Sequence, residues 1–421
     1  MSEPSSPPPA EPLATAAPSP ASAAAASAAE APATIGGVAA PESSARDAAT
    51  AGAIRGDGVV HEIQWSDAFA WWHLFRAGAA AFSPTVIVLG ALGAVALWAG
   101  WALADKLGVP AVDTLPPLAT REAPTLLRPL DGASMLEAIV RQLPGPAAAA
   151  VSQAITLFAP TSTLAALGGA ALRLVWFVVV WSLFGTAIAR AVALRLAGED
   201  RIGVGPALGY GARFWTAPSN AALFTLLGML ALAVPAMAIG VLMRADWGLA
   251  VAGAIWPLIL AGGLVLAILA VGVVVGWPLM VAAVGVERGD GFQAISTAFS
   301  YLYQRPLHVC FYTVVALAVA VPALAAAALF ADATAGLALW AASFGMGHAR
   351  TASLLESLAT GDAAAAFGAR AIRFWSQALE TVLGSFGWGY FWAIATAAYM
   401  LLRRDVDGTE LDEVVVDDIA D

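Results

Sequence analysis

Charge is scarce in this chain. Of its 421 residues only 12% are Asp, Glu, Lys or Arg, against about 25% in an ordinary soluble domain. With 60% hydrophobic residues and a mean hydropathy of +0.78, a membrane protein is the natural class. Cysteine is nearly absent: the single Cys310 excludes an intramolecular disulfide and, inside an apolar run, reads as a packing residue. The four histidines, His61, His73, His308 and His348, include no pair with metal-ligand spacing. GxSxG, Walker and complete GxGxxG motifs are missing, as is a Cys and His pair placed for nucleophilic catalysis. DVDGTELDE, residues 405–413, carries Asp405, Asp407 and Gly408 like a calcium loop, but Arg403 and Val414 occupy the first and twelfth ligand positions. It reads as a solvated acidic tail. These absences point away from an enzyme, a cofactor or a bound metal. The net charge of −10 argues against nucleic acid, and because the excess acid sits in tails and loops it reads as a solubility feature.

What is present begins with residues 1–60, rich in Ala, Pro and Ser and without Lys or Arg before Arg46. They lack the basic start and apolar core of a signal peptide. Alanine alone buries too little surface to offset the entropy of ordering, and Pro7, Pro8, Pro9, Pro18 and Pro20 oppose a helix. A disordered tail is expected.

A hydrocarbon core of about 30 Å needs about 20 apolar helical residues, and six stretches qualify: 77–104, 172–197, 220–243, 258–286, 307–330 and 374–402. As one helix the apolar run 247–286 would measure about 60 Å, twice the bilayer core. A break is therefore expected at Pro257 or the Gly262, Gly263 pair, leaving 247–257 interfacial or re-entrant. The expected fold is an all-α polytopic membrane bundle of about six transmembrane helices with interfacial elbow helices. The transmembrane domain covers 61–404, and 405–421 form an acidic tail. Of the two long outer loops, 331–373 contains TASLLESLATGDAAAAFGARAIRF, read as an interfacial amphipathic pair. Six spans place both termini on one side, and arginine in the short loops makes that side cytoplasmic.

Two connections look alike: GEDRIGVGPALGYGARFWTAP, residues 198–218, and VERGDGFQAISTAFSYLYQRP, residues 286–306. Glu199 and Glu287, Gly203 and Gly291, Pro218 and Pro306, and Thr225 and Thr313 each stand 88 residues apart. In both, an acidic residue ends a span, a glycine turn follows, then an aromatic-rich helix, then a proline where its missing N–H costs nothing. Asp290 and Gln293 have capping-box spacing. Phe292, Ile295, Phe299 and Leu302 form an apolar stripe, Tyr301 and Tyr303 suit the headgroup level, and Arg305 suits the helix C-terminus. SDAFAWWHLFRAGAAAFSP, residues 66–84, repeats the idea, with Ser66 or Asp67 as cap and Trp71 and Trp72 as anchors.

The blocks FVVVWSLFGTAIARAVALRLAGEDRIGVGPAL, GWPLMVAAVGVERGDGFQAISTAFSYLYQRPLHVCFYT and YMLLRRDVDGTELDEVVVDD resemble a group of uncharacterised bacterial six-helix membrane proteins. More loosely, the duplicated elbow is similar to the membrane domain attached to some glycerophosphoryl diester phosphodiesterases. The resemblance covers about residues 172–418 and implies no activity, because the catalytic domain of those wider relatives has no counterpart in this sequence. The chain departs from the pattern in its GDG, where Gly289 and Gly291 replace bulkier residues.

Charges next to spans are costly and face partners. Arg190, Arg195, Glu199, Glu287, Asp290, Arg305, Arg403 and Asp405 share one depth and are expected to form a salt-bridged cluster at the cytoplasmic face, with no charge at midplane. The leading expectation is a non-enzymatic scaffold or accessory factor of the bacterial inner membrane. Its partners are the lipid bilayer and either an unidentified membrane protein or further copies of itself. A permease for a small amphiphile or lipid is the alternative, and an intramembrane enzyme the third.

Overall fold

The structure, a computed structural model, describes residues 69–109, 145–159, 162–199, 201–360 and 367–414. The expected N-terminal tail, the cap at Ser66 or Asp67, most of the first outer loop and the last seven residues lie outside them. Among the described residues there are twelve helices and no strand. They are α1 (Trp72–Ala81), α2 (Pro84–Lys106), α3 (Gly145–Phe158), α4 (Leu164–Ala197), α5 (Val204–Phe214), α6 (Thr216–Leu242), α7 (Asp246–Glu287), α8 (Gly291–Gln304), α9 (Pro306–Met346), α10 (His348–Thr360), α11 (Phe367–Gly384) and α12 (Phe386–Asp407). Five of these, α2, α4, α6, α7 and α9, are long and apolar enough to cross a membrane. The expected class, an all-α membrane bundle, is the class observed.

Three elbows organise the chain, the two alike connections and the one ahead of the first span. Each unit is a short elbow helix, an outer helix and a returning helix: α1, α2 and α4; α5, α6 and α7; α8, α9 and α12. The returning helices α4, α7 and α12 pack on one another at the centre. Each elbow lies on the returning helix of the preceding unit, α5 on α4, α8 on α7 and, closing the ring, α1 on α12. Each outer helix touches the next elbow, α2 on α5, α6 on α8 and α9 on α1. The local chemistry repeats as well. All three returning helices end on a left-handed residue, Gly198 (φ 87°), Arg288 (φ 59°) and Gly408 (φ 71°), which turns the chain and lets its amide satisfy a terminal carbonyl. Asp290 caps α8, accepting from the Gln293 amide at 2.8 Å.

Each elbow also reaches the C-terminal end of its own unit's returning helix. Arg76 of α1 donates to the Leu196 carbonyl at 3.4 Å, Tyr210 of α5 donates to the Val284 carbonyl at 2.8 Å, and Tyr301 of α8 donates to Asp407. The elbows thus pin adjacent returning helices together. α8 sits against Gly272 and Gly276 of α7; of the expected stripe Leu302 is buried and Ile295 and Phe299 pack against the core, Phe292 is exposed, and Ala294, Ala298 and Tyr301 complete the buried face. Close backbone approach favours small residues where lipid is as apolar as the helix itself. Tyr301, expected at headgroup level, is 1% exposed, whereas Tyr303 is exposed and donates to the Ile268 carbonyl. Gly291 has its own reason: a Cβ there would stand 2.8 Å from the Ala217 carbonyl oxygen, so the departure in the GDG lets α8 approach α6.

Four expected boundaries are corrected. The first span, 77–104, is interrupted at Phe82 and Ser83, because Pro84 holds Ser83 extended (ψ 142°) and starts α2 afresh. The 374–402 span divides at Ser385 into α11 and α12. The break at Pro257 or Gly262 does not occur: α7 is one helix of 42 residues, about 63 Å long. In hydrocarbon an unwound segment would strand several backbone groups, whereas a proline forfeits one hydrogen bond. α9, expected to end at 330, continues to Met346 for the same reason. Cys310 lies on the exposed face of α9 rather than in packing. Asp405 and Asp407, expected in a solvated tail, belong to α12 and accept hydrogen bonds from Tyr312 and Tyr301.

Candidate functional site

The axis between α4, α7 and α12 is aromatic. Trp181 stacks on Trp388 with ring centroids 4.4 Å apart and planes at 13°, and Trp277 meets Trp392 edge-on at 5.5 Å. Phe177 closes the group at 5.7 Å from Trp277. Offset and edge-to-face pairs of this kind add to the burial of the rings, and Trp181 and Trp392 are essentially inaccessible.

Toward the C-terminal ends of the same three helices the axis becomes polar. Glu287, the last residue of α7, accepts from the Arg403 Nε at 2.9 Å and from the Tyr399 hydroxyl at 2.6 Å. Tyr399 is 0% exposed, and its ring lies 5.6 Å from that of Tyr301. Tyr301 donates to Asp407, and Tyr312 of α9 donates to Asp405 at 2.6 Å. Arg403 also donates to the Glu413 carbonyl at 2.7 Å, drawing the segment after α12 back onto the bundle. One network therefore joins α7, α8, α9 and α12.

The eight residues expected to cluster divide by position. Glu287, Arg403 and Asp405 belong to this network. Arg190 is buried with its guanidinium 4.9 Å from the Tyr210 ring centroid, at a separate join between α4, α5 and α7. Asp290 is engaged as a cap. Glu199 and Arg305 are exposed at helix ends, and Arg195 is half-buried in the last turn of α4. One further charge is buried, near the end of α2 where its partner Asp105 stands. Arg173 of α4 is 1% exposed and reaches Asp105 at 2.5 Å and the Val109 carbonyl at 3.1 Å, with the Trp101 ring 5.9 Å away. Hydropathy averaging hid it, since one arginine scarcely changes the mean of a 34-residue helix.

The tyrosines were the missed functional signal. The chain has 15 Trp and 17 Phe but six Tyr, and all six donate a hydrogen bond: Tyr210, Tyr303 and Tyr390 to carbonyls, Tyr301, Tyr312 and Tyr399 to carboxylates. Where a phenol is that sparingly used among apolar rings, its hydroxyl is the reason for it. Chemically, this arrangement occupies each carboxylate with a neutral donor or a cation. Among the described residues no three His, Cys, Asp or Glu side chains converge as metal ligands.

Three of these phenols, Tyr210, Tyr301 and Tyr303, sit on elbow helices, outside the spans. Burial pushes the Tyr301 hydroxyl up, and Asp407 and Glu287 push it further. Burial likewise raises Tyr210, against the lowering effect of Arg190 and Arg288. A raised folded value stabilises the protein below the unfolded phenol value of about 10 and stops doing so as pH climbs toward the folded value. The unfolding midpoint in detergent is therefore expected to be flat up to about pH 10 and to fall above it. In Tyr301→Phe the alkaline fall should be shallower, read by thermal unfolding across pH 8 to 11.5.

Neither a family model, nor a curated protein, nor a solved structure matches the chain.

Proposed function

We propose that the chain is a non-enzymatic scaffold or accessory factor of the bacterial inner membrane, with both termini cytoplasmic. The observation that carries this reading is the closed axis: Phe177, Trp181, Trp277, Trp388 and Trp392 fill the space between the three returning helices. The ion pair and tyrosines at its end fasten helices to one another. A body braced in this way suits holding a shape in the membrane for a membrane-protein partner or for further copies of itself. The resemblance to six-helix bacterial membrane proteins belongs to the same reading.

Reconstitution tests it. Proteoliposomes holding the purified chain should release an entrapped small amphiphile, and flip a fluorescent phospholipid, no faster than protein-free vesicles. Acceleration of either would overturn the proposal in favour of the second reading, a permease for a small amphiphile or lipid. That reading has one observation of its own, an apolar cavity among α3, α4, α6 and α7.

A further inference from the structure

Beside the closed axis, a cavity of about 110 Å³ opens among α3, α4, α6 and α7, with Phe391 of α12 at one edge. Its lining is entirely apolar: valine, alanine, leucine, phenylalanine, methionine, tryptophan and proline. It has a buried floor and an open mouth. Phe177, Met229 and Trp277 at the floor are 3%, 4% and 8% exposed, whereas Phe158 and Val274 at the rim are 61% and 53% exposed. The floor is also the flank of the aromatic axis, since Phe177 and Trp277 belong to both. The cavity is therefore a blind pit leading inward from the outer surface of the bundle.

Its origin is legible in α7. Pro278 has no amide to give the carbonyl of Val274 one turn earlier, and a proline ring inside a helix crowds that carbonyl. Both residues line the pit. Across from them α6 presents Ala222, too small to fill the gap. The Trp277 indole is held by its N–H, which donates to the Pro218 carbonyl at 3.3 Å, so the floor is fixed in place.

What can occupy such a pit follows from its lining and its surroundings. A buried water needs two to four polar partners, and this wall offers none. A polar or charged solute would lose its hydration without replacement. Three of the helices around the pit, α4, α6 and α7, are long and apolar enough to cross a membrane, and the exposed apolar rim at Phe158 and Val274 suits hydrocarbon rather than water. We infer that the pit holds one acyl chain of a bilayer diacyl phospholipid, inserted tail-first between α6 and α7 with its end against Phe177 and Trp277. The inference is independent of the scaffold reading: a pit of this kind holds a lipid whether or not the chain moves one.

The test uses the full chain in vesicles of phosphatidylethanolamine and phosphatidylglycerol, extracted into mild detergent and weighed intact by native mass spectrometry. The wild type should carry one phospholipid per chain. Ala222→Phe, and separately Ala270→Phe on the facing wall, should reduce that adduct at least tenfold while each protein keeps its helical spectrum. An unliganded wild type, an equal adduct in a folded variant, or an adduct with the mass of a free fatty acid would each overturn the inference. Wild-type labelling settles the case should both variants misfold. A phospholipid with a diazirine near the end of one chain should mark the peptides holding Met229 and Val274 above all others. Labelling no stronger there than along the exposed face of α9 would overturn it.

Discussion

Glu287→Ala is expected to lower the stability of the folded protein in detergent by about 3 kcal/mol, the lower end of the range for breaking a buried ion pair. The lower end applies because the two side chains retain some access to solvent, 17% for Arg403 and 19% for Glu287. Two donors lose their acceptor at once: the Arg403 Nε–H and the Tyr399 hydroxyl, the latter with no exposure. An orphaned buried donor costs its desolvation penalty, about 1–3 kcal/mol. Glu287→Gln keeps an oxygen for Tyr399 but not the charge, so it should cost less than alanine. A cycle with Arg403→Met separates pair from partner: if the loss in Glu287→Ala is chiefly the stranded cation, adding Arg403→Met should recover part of it. Equilibrium unfolding in one detergent, at one pH, checks the four variants against the wild type. An unchanged midpoint in Glu287→Ala would mean the network is ornamental to the fold.

The second large effect is steric. Gly285→Ala should destabilise by about 2–3 kcal/mol, as overpacking a well-filled interface does. A Cβ at this position would lie 2.6 Å from the Ala189 Cβ and 3.1 Å from the Arg190 amide nitrogen. The obstacle is largely the backbone of α4, which cannot rotate away as a side chain can. α4 and α7 would have to separate, and with them the Tyr210 tie to Val284 one residue earlier. Gly253→Ala on the same helix is the control. Nothing lies within 4 Å of a Cβ there, so only helix propensity acts, and it favours alanine by about 1 kcal/mol. Opposite signs on one helix would locate the α4 to α7 crossing without any further structural measurement. Ala189→Gly in the Gly285→Ala background relieves only the Cβ contact and itself costs about 1 kcal/mol of helix propensity, so it should return a minor part of the loss at most.

These two predictions differ in how far ahead of the structure they could have been made. Glu287 and Arg403 stand out as charges at the ends of apolar runs, so their involvement is readable from the sequence. Their partners are not: Tyr399 lies 112 residues from Glu287, and nothing local ties a phenol on one helix to a carboxylate on another. Gly285 is one of 40 glycines, and only the crossing of two helices distinguishes it from Gly253. Asp290 shows the opposite case, because a cap acts on an amide three residues away and is written in one short stretch.

The chain's composition and its punctuation by proline, glycine and capping residues determined its class, the existence of its elbows and the starts of several helices. Those features depend on interactions within a few residues or on transfer into hydrocarbon as a whole. The helix ends inside apolar runs, the ring of three elbow-linked units, the inward face of each span, the buried Arg173 with Asp105 and the pit beside Trp277 were decided by tertiary structure alone. The physical reason lies in α6, α7 and α9, which are apolar on every side. Such helices carry no periodic stripe to say which face turns inward. In lipid no hydrophobic force draws one face toward another, so close approach at small residues and a few cross-helix hydrogen bonds make the choice.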